Sequence, residues 1–514
     1  RLDNIGERER AKRNYFKGNY DLMRSELEGV NWVEIFESND VENICRNIED
    51  LINDLSLRFV PMSRVVRRRE KIPKSVQRAA KRKRELHKRY LMTARKVDHD
   101  AYKRQRNATT ELTDRLEREK ELRMAREFKE NPKKLHKFVR SKMRVREKIG
   151  SLENSVGEMC CDNKVKAEML NDQFKSVFVE EDLGNIPEVD RTLANISDLL
   201  ISEEIVKTKL SKLKEDKAMG PDGLHPKVLR ECAEQLSGPL TELFRLSLRN
   251  GVVPESWRRA DVSPIFKKGS MKKVENYRPV SLTSQLCKMM ESIIRDHLIE
   301  FLESKNFFSG EQHGFRARRS CTTNLLETLE DWTRAVDKGC GVDCVFLDYQ
   351  KAFDTVPHQR LLTKLEACGV RGNIHGWIAA FLRNREQRVV VGGEMSSWTQ
   401  VLSGVPQGSI LGPVLFLVYI NDVPVQVKSK VKLFADDTKL YNVIEKQEDR
   451  LTLQRDLCTL CEWSKNWQLK FNIDKCKSMH VGNRERDITN YYMTSVEGER
   501  IDLQVVTEEK DLGV

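Results

Sequence analysis

Three carboxylates draw attention because each interrupts an apolar, strand-forming run. Cys344-Val345-Phe346-Leu347-Asp348 is β-rich and ends in an acid, then continues as Tyr349-Gln350-Lys351-Ala352-Phe353-Asp354. Val431 to Tyr441 reads as a hairpin with the adjacent pair Asp436-Asp437 at its centre. Acids gathered at a tight turn and on a neighbouring strand repel one another, and left unpaired they are driven toward protonation. A divalent cation resolves that conflict, because hard oxygen ligands suit Mg²⁺ and the ion's charge reverses the effect on the acids. Two such ions roughly 4 Å apart serve in-line phosphoryl displacement, one activating the attacking hydroxyl and the other holding the leaving group. A single Asp is equally well explained as a turn residue or a helix cap, so the combination carries the reading. Asp354, the second acid of its run, reads as structural.

These acids need strands that bring them together and loops that leave room for a substrate. Between the two acidic runs, Ser403-Gly404-Val405-Pro406-Gln407-Gly408-Ser409 forms a turn-rich loop entering an apolar helix expected at 410–420. Upstream, residues 202–214 read as a short amphipathic helix with Ile205, Leu210 and Leu213 as its apolar positions. A Gly/Pro-rich loop, Lys217-Ala218-Met219-Gly220-Pro221-Asp222-Gly223-Leu224, follows it. Residues 183–198, with Gly184, Pro187 and several acids, look like a linker.

The 514 residues suggest roughly three domains of about 100–200 residues each. With 33% charged and 7% aromatic residues the chain is polar, yet too rich in apolar residues to be disordered throughout. No stretch approaches the roughly 18–20 apolar residues of a membrane span; the longest, Ile410 to Ile420, contains Gly412 and Pro413. Composition thus argues against a membrane protein, a secreted mini-domain and a collagenous or repeat chain. The 12 cysteines are scattered, which suits free thiols in a reducing compartment. Cys458-x-x-Cys461 lacks a second pair at zinc spacing and reads as two thiols on a helix face.

The net charge of +12 is localised. Residues 51–150 hold 33 Lys/Arg against 13 Asp/Glu, a balance of +20, while the flanking stretches are each slightly acidic. Arg67-Arg68-Arg69 and Lys81-Arg82-Lys83-Arg84 are its densest clusters. A helical pattern follows at Leu112, Leu116, Leu122, Phe128, Leu135 and Phe138, with Asn131-Pro132 as a break between two helices. A basic helical arm of this density neutralises nucleic-acid phosphates with sequence-independent, salt-sensitive affinity. The alternatives are a solvated helix laced with i,i+4 ion pairs, or a nuclear-localisation signal at 81–84.

An ordered series of motifs over about residues 205–514 resembles the reverse transcriptases of non-LTR, LINE-type retrotransposons of the CR1/jockey-like kind. The Lys217–Leu224 loop looks like that family's opening motif. Trp257 through Ser281 resembles its fingers, and Gln312-His313-Gly314-Phe315-Arg316 its next motif. Asp348 to Asp354 is similar to the first catalytic strand of the palm, and Gly404 to Gly408 to the template and nucleotide loop. Phe434-Ala435-Asp436-Asp437 looks like the catalytic hairpin, and Asn472-x-x-Lys475 like the palm motif after it. Group II intron maturases and telomerase-like enzymes share the palm, but Phe-Ala-Asp-Asp with the extended Gly404–Phe416 loop fits the LINE type better.

The resemblance implies an α/β (α+β) right-hand polymerase: fingers, and a palm with a ferredoxin-like sheet. Asp348, Asp436 and Asp437 would be catalytic and would hold two Mg²⁺ ions, with Mn²⁺ as a substitute. Successive strand residues face opposite sides, so Asp437 is the acid of the pair that could point away. Phe353 would lie beneath the incoming sugar and exclude a ribose 2′-hydroxyl. Lys267, Arg278 and Arg316 would grip the triphosphate as charge-assisted donors. Gln407 and Gly408 would let backbone approach nucleotide and template. Lys475 would protonate the leaving pyrophosphate, although Cys476-Lys477 departs from the family's usual Thr there and makes Lys477 a competitor.

The implied partners are an RNA template, a DNA primer and dNTPs, in an intracellular ribonucleoprotein shared between nucleus and cytoplasm. The expected organisation is a linker over 1–60 following an endonuclease, the arm over 61–150, and a second linker over 151–200. Fingers with their N-terminal extension then occupy 201–330 and the palm 331–480, with 481–514 leading toward a thumb that is mostly missing. No endonuclease motif is present, so the expectation is a fragment of a longer polyprotein or a decayed copy. The competing reading is a catalytically weak remnant that only binds RNA or DNA.

Overall fold

The computed structural model describes residues 13–63, 73–127, 149–154, 156–190, 193–482, 490–495 and 498–514. They fall into two compact units, one built from 62–127 and the other from 13–61 with 149–514.

Helices begin at once in the second unit: α1 (Tyr20–Glu28), α2 (Trp32–Phe36) and α3 (Val41–Phe59). The Asn19 and Asp40 side chains accept from Leu22 and Glu42 N–H, satisfying donors that a helix start leaves unpaired. Val41, Ile44, Ile48, Ile52 and Leu55 recur every three or four residues along α3, and all are buried. The expected linker over 1–60 is therefore corrected. From Tyr20 to Phe59 it is helical, and its apolar faces join the main core beside Leu240 and Phe244.

The first unit is a helical hairpin of α4 (Lys74–Thr93) and α5 (Lys96–Glu127), reversing at Ala94 with φ +50°. Val76, Ala79, Lys83, Leu86 and Tyr90 of α4 form a half-buried stripe at heptad-like spacing. Tyr102, Gln105, Leu112 and Leu116 of α5 form another. Their antiparallel packing brings His87 to Tyr102 and Tyr90 to His99, with ring centroids 4.6 and 4.9 Å apart. Lys81, Arg82, Lys83 and Arg84 lie on α4. Arg67, Arg68 and Arg69, the Asn131-Pro132 break, and Phe128, Leu135 and Phe138 fall outside the described residues.

The rest of the second unit starts with the small β1 (Leu152–Glu153) and β2 (Met159–Cys160) pair and α6 (Asn163–Lys175). This corrects the second expected linker: Ala167, Leu170 and Phe174 of α6 pack with Val262, Tyr277 and Val389 in a core of their own. Residues 176–202, which include the 183–198 stretch, carry no helix or strand among those described. Next come α7 (Glu203–Ser211), α8 (Pro226–Glu231), α9 (Ala233–Asn250) and α10 (Glu255–Arg258). In α7 it is Val206 and Leu210 that are buried, while Ile205 is exposed.

Two sheets follow. β3 (Arg259–Phe266) and β4 (Tyr277–Leu282) form a hairpin, and α11 (Gln285–Ser304) and α12 (Cys321–Asp337) lead to β5 (Gly341–Leu347). After the short α13 (Ala352–Thr355), α14 (His358–Ala367) and α15 (Gly372–Leu382) come β6 (Arg385–Val391), β7 (Glu394–Met395) and β8 (Thr399–Val401). β6 pairs in parallel with β3, giving the order β4-β3-β6-β7 with β8 also on β6. Residues 385–401 thus belong with 259–282, so a palm running unbroken over 331–480 is corrected.

The buried α16 (Gly412–Ile420) leads to β9 (Lys430–Phe434) and β10 (Asp437–Ile444), then α17 (Gln447–Asn466) and β11 (Lys477–Val481). β12 (Tyr492–Thr494) and β13 (Arg500–Asp502) pair with each other, and β14 (Gln504–Val506) completes the second sheet, β14-β11-β5-β10-β9. All its pairs are antiparallel except β11 with β14. The architecture is mixed α/β, with helices packed around two sheets.

Candidate active site

The second sheet decides where the acids lie. In the β5–β10 ladder Leu347 faces Thr438, so Asp348 and Asp437 are the next opposed positions at its open end. Residues directly opposite on antiparallel strands project from one face. Asp437 therefore does not turn away from Asp348 as strand alternation allowed. Phe434 pairs with Asp437, which leaves Ala435-Asp436 as the two-residue turn between β9 and β10. Burial raises the pKa of Asp436, and the charge of Asp348 adds to it. Asp437 is pushed up to about 6 by burial, then by the charges of Asp436 and Asp348. The three acids share one electrostatic site.

Each acid is held by its surroundings. The Asp348 carbonyl accepts from Asn472 N–H at 2.7 Å, and Lys475 N–H closes a turn onto the Asn472 carbonyl at 2.9 Å. That turn carries the Lys475 ammonium to 2.9 Å from Asp348 Oδ2. Lys477, its competitor, pairs instead with Glu509 at 2.6 Å. On the other side stands the β3–β4 hairpin, where Arg278 faces Ile265 and Lys267 N–H donates to Asn276 O at 2.8 Å. Lys267 and Arg278 both pull the Asp436 pKa downward. Burial, then Arg278 and Lys475, lower the pKa of Lys267 itself. The structure thus gathers Lys267, Arg278 and Lys475 around Asp348, Asp436 and Asp437.

Arg316 is not part of that gathering. Its guanidinium pairs with Glu303 at 3.0 Å and donates to the Ser309 carbonyl at 2.8 Å, so its charge is already matched. The motif acts on the acids through Gln312, which the sequence reading passed over. Buried at 2% exposure, Gln312 Oε1 accepts from Ala435 N–H at 3.0 Å and from Gly314 N–H at 2.7 Å. Around it, His313 N–H donates to Leu433 O and Leu433 N–H to Glu311 O, both at 2.9 Å, laying the motif along β9. Ala435 has φ +55°, a left-handed conformation that costs a non-glycine residue roughly 1–2 kcal/mol. Gly314 lies so close that a Cβ there would sit 2.4 Å from Ala435 N.

The Ser403–Ser409 loop rests on α13, the short helix that follows the first acid. Val405 N–H donates to Phe353 O at 2.7 Å, and Ser281 N–H donates to Gln407 O at 2.8 Å, tying the loop to β4. The Gln407 amide donates to both Asp354 oxygens at 2.9 Å, so its side chain serves the loop rather than a ligand. Gly408, at φ +120°, brings its backbone so near β4 that a Cβ would meet Ser281 O at 2.5 Å. Phe353 stacks on Phe416 with centroids 4.4 Å apart and meets Phe315 edge-on. A second residue missed in the sequence is Glu291, fully buried, accepting from Ser409 Oγ, Ile410 N–H and Leu411 N–H at 2.5, 2.7 and 3.0 Å. A lone acid between the apolar pairs Met289-Met290 and Ile293-Ile294 was the available signal.

Among the described residues no three acid, His or Cys side chains already close around a point where a metal ion would sit. The donor set nevertheless suits Mg²⁺: three hard carboxylates, two of which have pKa values raised by burial and then by the neighbouring acids. The Lys475 ammonium stands on Asp348, where such a cation would compete with it.

A family model described as reverse transcriptase (RNA-dependent DNA polymerase) matches residues 265–505, the stretch from the β3–β4 hairpin to β14 that contains all of these residues. The matched stretch is thus similar to reverse transcriptases. The chain is 31% identical over 297 residues to the RNA-directed DNA polymerase from mobile element jockey of Drosophila melanogaster, covering 55% of this chain and 32% of that protein. The corresponding jockey protein of Drosophila funebris is 29% identical over 359 residues, 66% of this chain and 39% of that protein. The probable RNA-directed DNA polymerase from transposon BS of Drosophila melanogaster is 30% identical over 283 residues, 53% of this chain and 31% of that protein. The chain spans about a third of the length of these curated relatives. The match to reverse transcriptases includes the acids but does not reach α4 and α5.

Proposed function

We propose that this chain copies RNA into DNA by transferring deoxynucleotides from dNTPs to a primer 3′-hydroxyl. The observation that carries the reading is the convergence of Asp348, Asp436 and Asp437 at one end of the second sheet, faced by Lys267, Arg278 and Lys475. In the language of polymerases that sheet is the palm, and the β3–β4 hairpin with its basic tip belongs to the fingers.

Asp348, Asp436 and Asp437 would hold two Mg²⁺ ions, which when bound lower the pKa of the attacking hydroxyl and neutralise the leaving pyrophosphate. Lys267 and Arg278 orient the triphosphate through charge-assisted hydrogen bonds to its oxygens. Lys475 is released from Asp348 as that carboxylate is engaged, and stands ready to give a proton to the departing pyrophosphate oxygen. Phe353, fixed by Phe416 and by the hydrogen bond from Val405, presents its ring edge where a ribose 2′-hydroxyl would collide. Gln312 and Glu291 position the catalytic turn and the nucleotide loop without touching substrate.

The test is Mg²⁺-dependent primer extension on poly(rA)/oligo(dT), with Asp436→Ala beside the parent chain. Extension by the parent and its loss in the variant are expected; equal incorporation by both overturns the proposal.

A further inference from the structure

We infer that α4 alone supplies the nucleic-acid contacts of the helical hairpin, and that it grips the phosphate backbone of a duplex without stacking on bases. The inference rests on reading the chain as a nucleic-acid polymerase, and adds to it which surface outside the matched stretch holds the substrate and in what form.

The charge of the hairpin is partitioned between its helices. Lys74–Thr93 carries eight Lys/Arg against one acid, Glu85, whereas Lys96–Glu127 carries nine against eight. α5 is thus close to neutral and α4 strongly positive. A merely solvated basic helix would spread its charge into i,i+4 ion pairs, but α4 has almost no acids with which to do so. Among the described residues Arg89 pairs with Asp98 of α5 at 2.8 Å, and no ion pair involves Lys74, Arg78, Lys81, Arg82, Arg84 or Lys88. Those six are exposed. At 1.5 Å per residue the 20-residue helix is about 30 Å long. A duplex with one charge per roughly 1.7 Å of axis therefore offers phosphates along its whole length.

The aromatic residues decide the form of the partner. Single strands are held by rings on which bases stack. In the hairpin, His87 and Tyr90 of α4 are engaged with Tyr102 and His99 of α5. No other aromatic side chain lies between Lys74 and Glu127. The basic face has charge to offer and no stacking platform, which selects the regular phosphate array of a duplex.

The experiment uses the full chain and measures affinity for a short RNA–DNA duplex and for its single strands across about 50–200 mM salt. Lys81→Gln, Arg82→Gln, Arg84→Gln and Lys88→Gln combined remove exposed α4 charges without touching the seam; Lys103→Gln, Arg104→Gln and Arg106→Gln on α5 are the control. The slope of log K against log salt should become shallower by about 3 in the α4 variant, at roughly 0.7–0.9 per phosphate contact, and by less than about 1 in the control. The parent should bind the duplex more tightly than either strand, and the α4 change should weaken that preference where the α5 control does not. An unchanged slope in the α4 variant, an equal loss in the control, or tighter binding of single strands each overturns the inference. Helicity by circular dichroism confirms that both variants keep the hairpin. Asp436→Ala should bind the duplex with the parent's salt slope, so inactivity in primer extension and failure of the α4 test are separately visible.

Discussion

Replacing Gln312 tests whether the catalytic turn is held from behind. Gln312→Met keeps the length and apolar volume of the side chain but removes the oxygen that accepts from Ala435 and Gly314 N–H. Leaving a buried donor unsatisfied costs about 1–3 kcal/mol, so two donors put the loss of stability at about 2–6 kcal/mol if the turn stays in place. The turn can recover part of that by letting Ala435 leave its left-handed conformation, worth roughly 1–2 kcal/mol, and in doing so it displaces Asp436. A shift near 1 Å in a reacting group is enough for about a 100-fold loss of rate. The expected result in primer extension is therefore a kcat lower by about 10- to 100-fold, a raised Mg²⁺ half-saturation, and a KM for dNTP close to the parent's. Gln312→Glu separates positioning from packing. Gln312 Nε2 has no hydrogen-bond partner, so the carboxylate keeps both acceptor contacts and loses nothing. Its added charge should instead raise the Asp436 pKa and move the acid limb of the pH–rate profile upward. If Gln312→Met retains kcat and Mg²⁺ dependence within about twofold, or if Gln312→Glu is equally impaired at every pH, the turn is held by something else.

Phe353→Ala removes the ring that stacks on Phe416, and should admit ribonucleotides in primer extension while leaving dNTP use largely intact. Extension with rNTPs as poor as the parent's would remove Phe353 from sugar selection. Lys475→Met should act in two directions, lowering Mg²⁺ half-saturation by freeing Asp348 while reducing kcat by about 10- to 100-fold through loss of a general acid. An unchanged kcat would take the leaving-group proton away from it. The pH dependence follows from Asp437, whose folded pKa of about 6 lies above its ordinary value of 3.8. Without metal the folded state holds that proton more tightly than the unfolded chain, so the group's contribution is largest below about pH 4 and is lost as pH rises through about 6. Mg²⁺ needs the ionised acid, so thermal melts should show a larger Mg²⁺-induced rise in Tm at pH 7.5 than at pH 5. Equal rises at both would refute the shared-site electrostatics.

What sequence reading reached, and what it did not, divides along physical lines. The acids were legible because Asp348 and Asp436-Asp437 together interrupt apolar strand-forming runs, where charge is costly unless it is paired. Local patterning likewise gave α7, α16 and the loop between β8 and α16. The parallel pairing of β6 with β3 was not legible, because strands more than 100 residues apart leave no mark on local periodicity. That pairing moves residues 385–401 into the first sheet. The helices at 20–59 were hidden by a functional expectation. Their apolar spacing was plain, but a segment thought to follow another domain was read as connecting chain. Arg316 was expected at a phosphate from its residue type, and only the fold shows Glu303 beside it. Gln312 and Glu291 share one difficulty: each serves backbone N–H groups over 100 residues away, and a neutral or lone polar residue in a helix or loop advertises no such partner.

Asp354 and Asp437 show why a perturbed acid identifies a site only when the cause is known. Both are pushed up to about 6, and burial is the largest cause for each. They differ in what comes next. For Asp354 the next influence is the Gln407 amide, a neutral donor that lowers the pKa and satisfies both oxygens. Its carboxylate is complete, and its charge fixes the Gly404–Gly408 loop. For Asp437 the next influences are Asp436, Asp348 and Asp511, all of which raise the pKa further. No neutral donor closes that site; its remaining demand is for positive charge. Lys439 already pairs with Asp511 and Lys475 with Asp348, and Lys267 lowers the Asp437 pKa only as a smaller influence than the three acids that raise it. The two environments therefore differ in kind, neutral hydrogen bonding around Asp354 and like charge around Asp437, although the pKa value alone does not distinguish them.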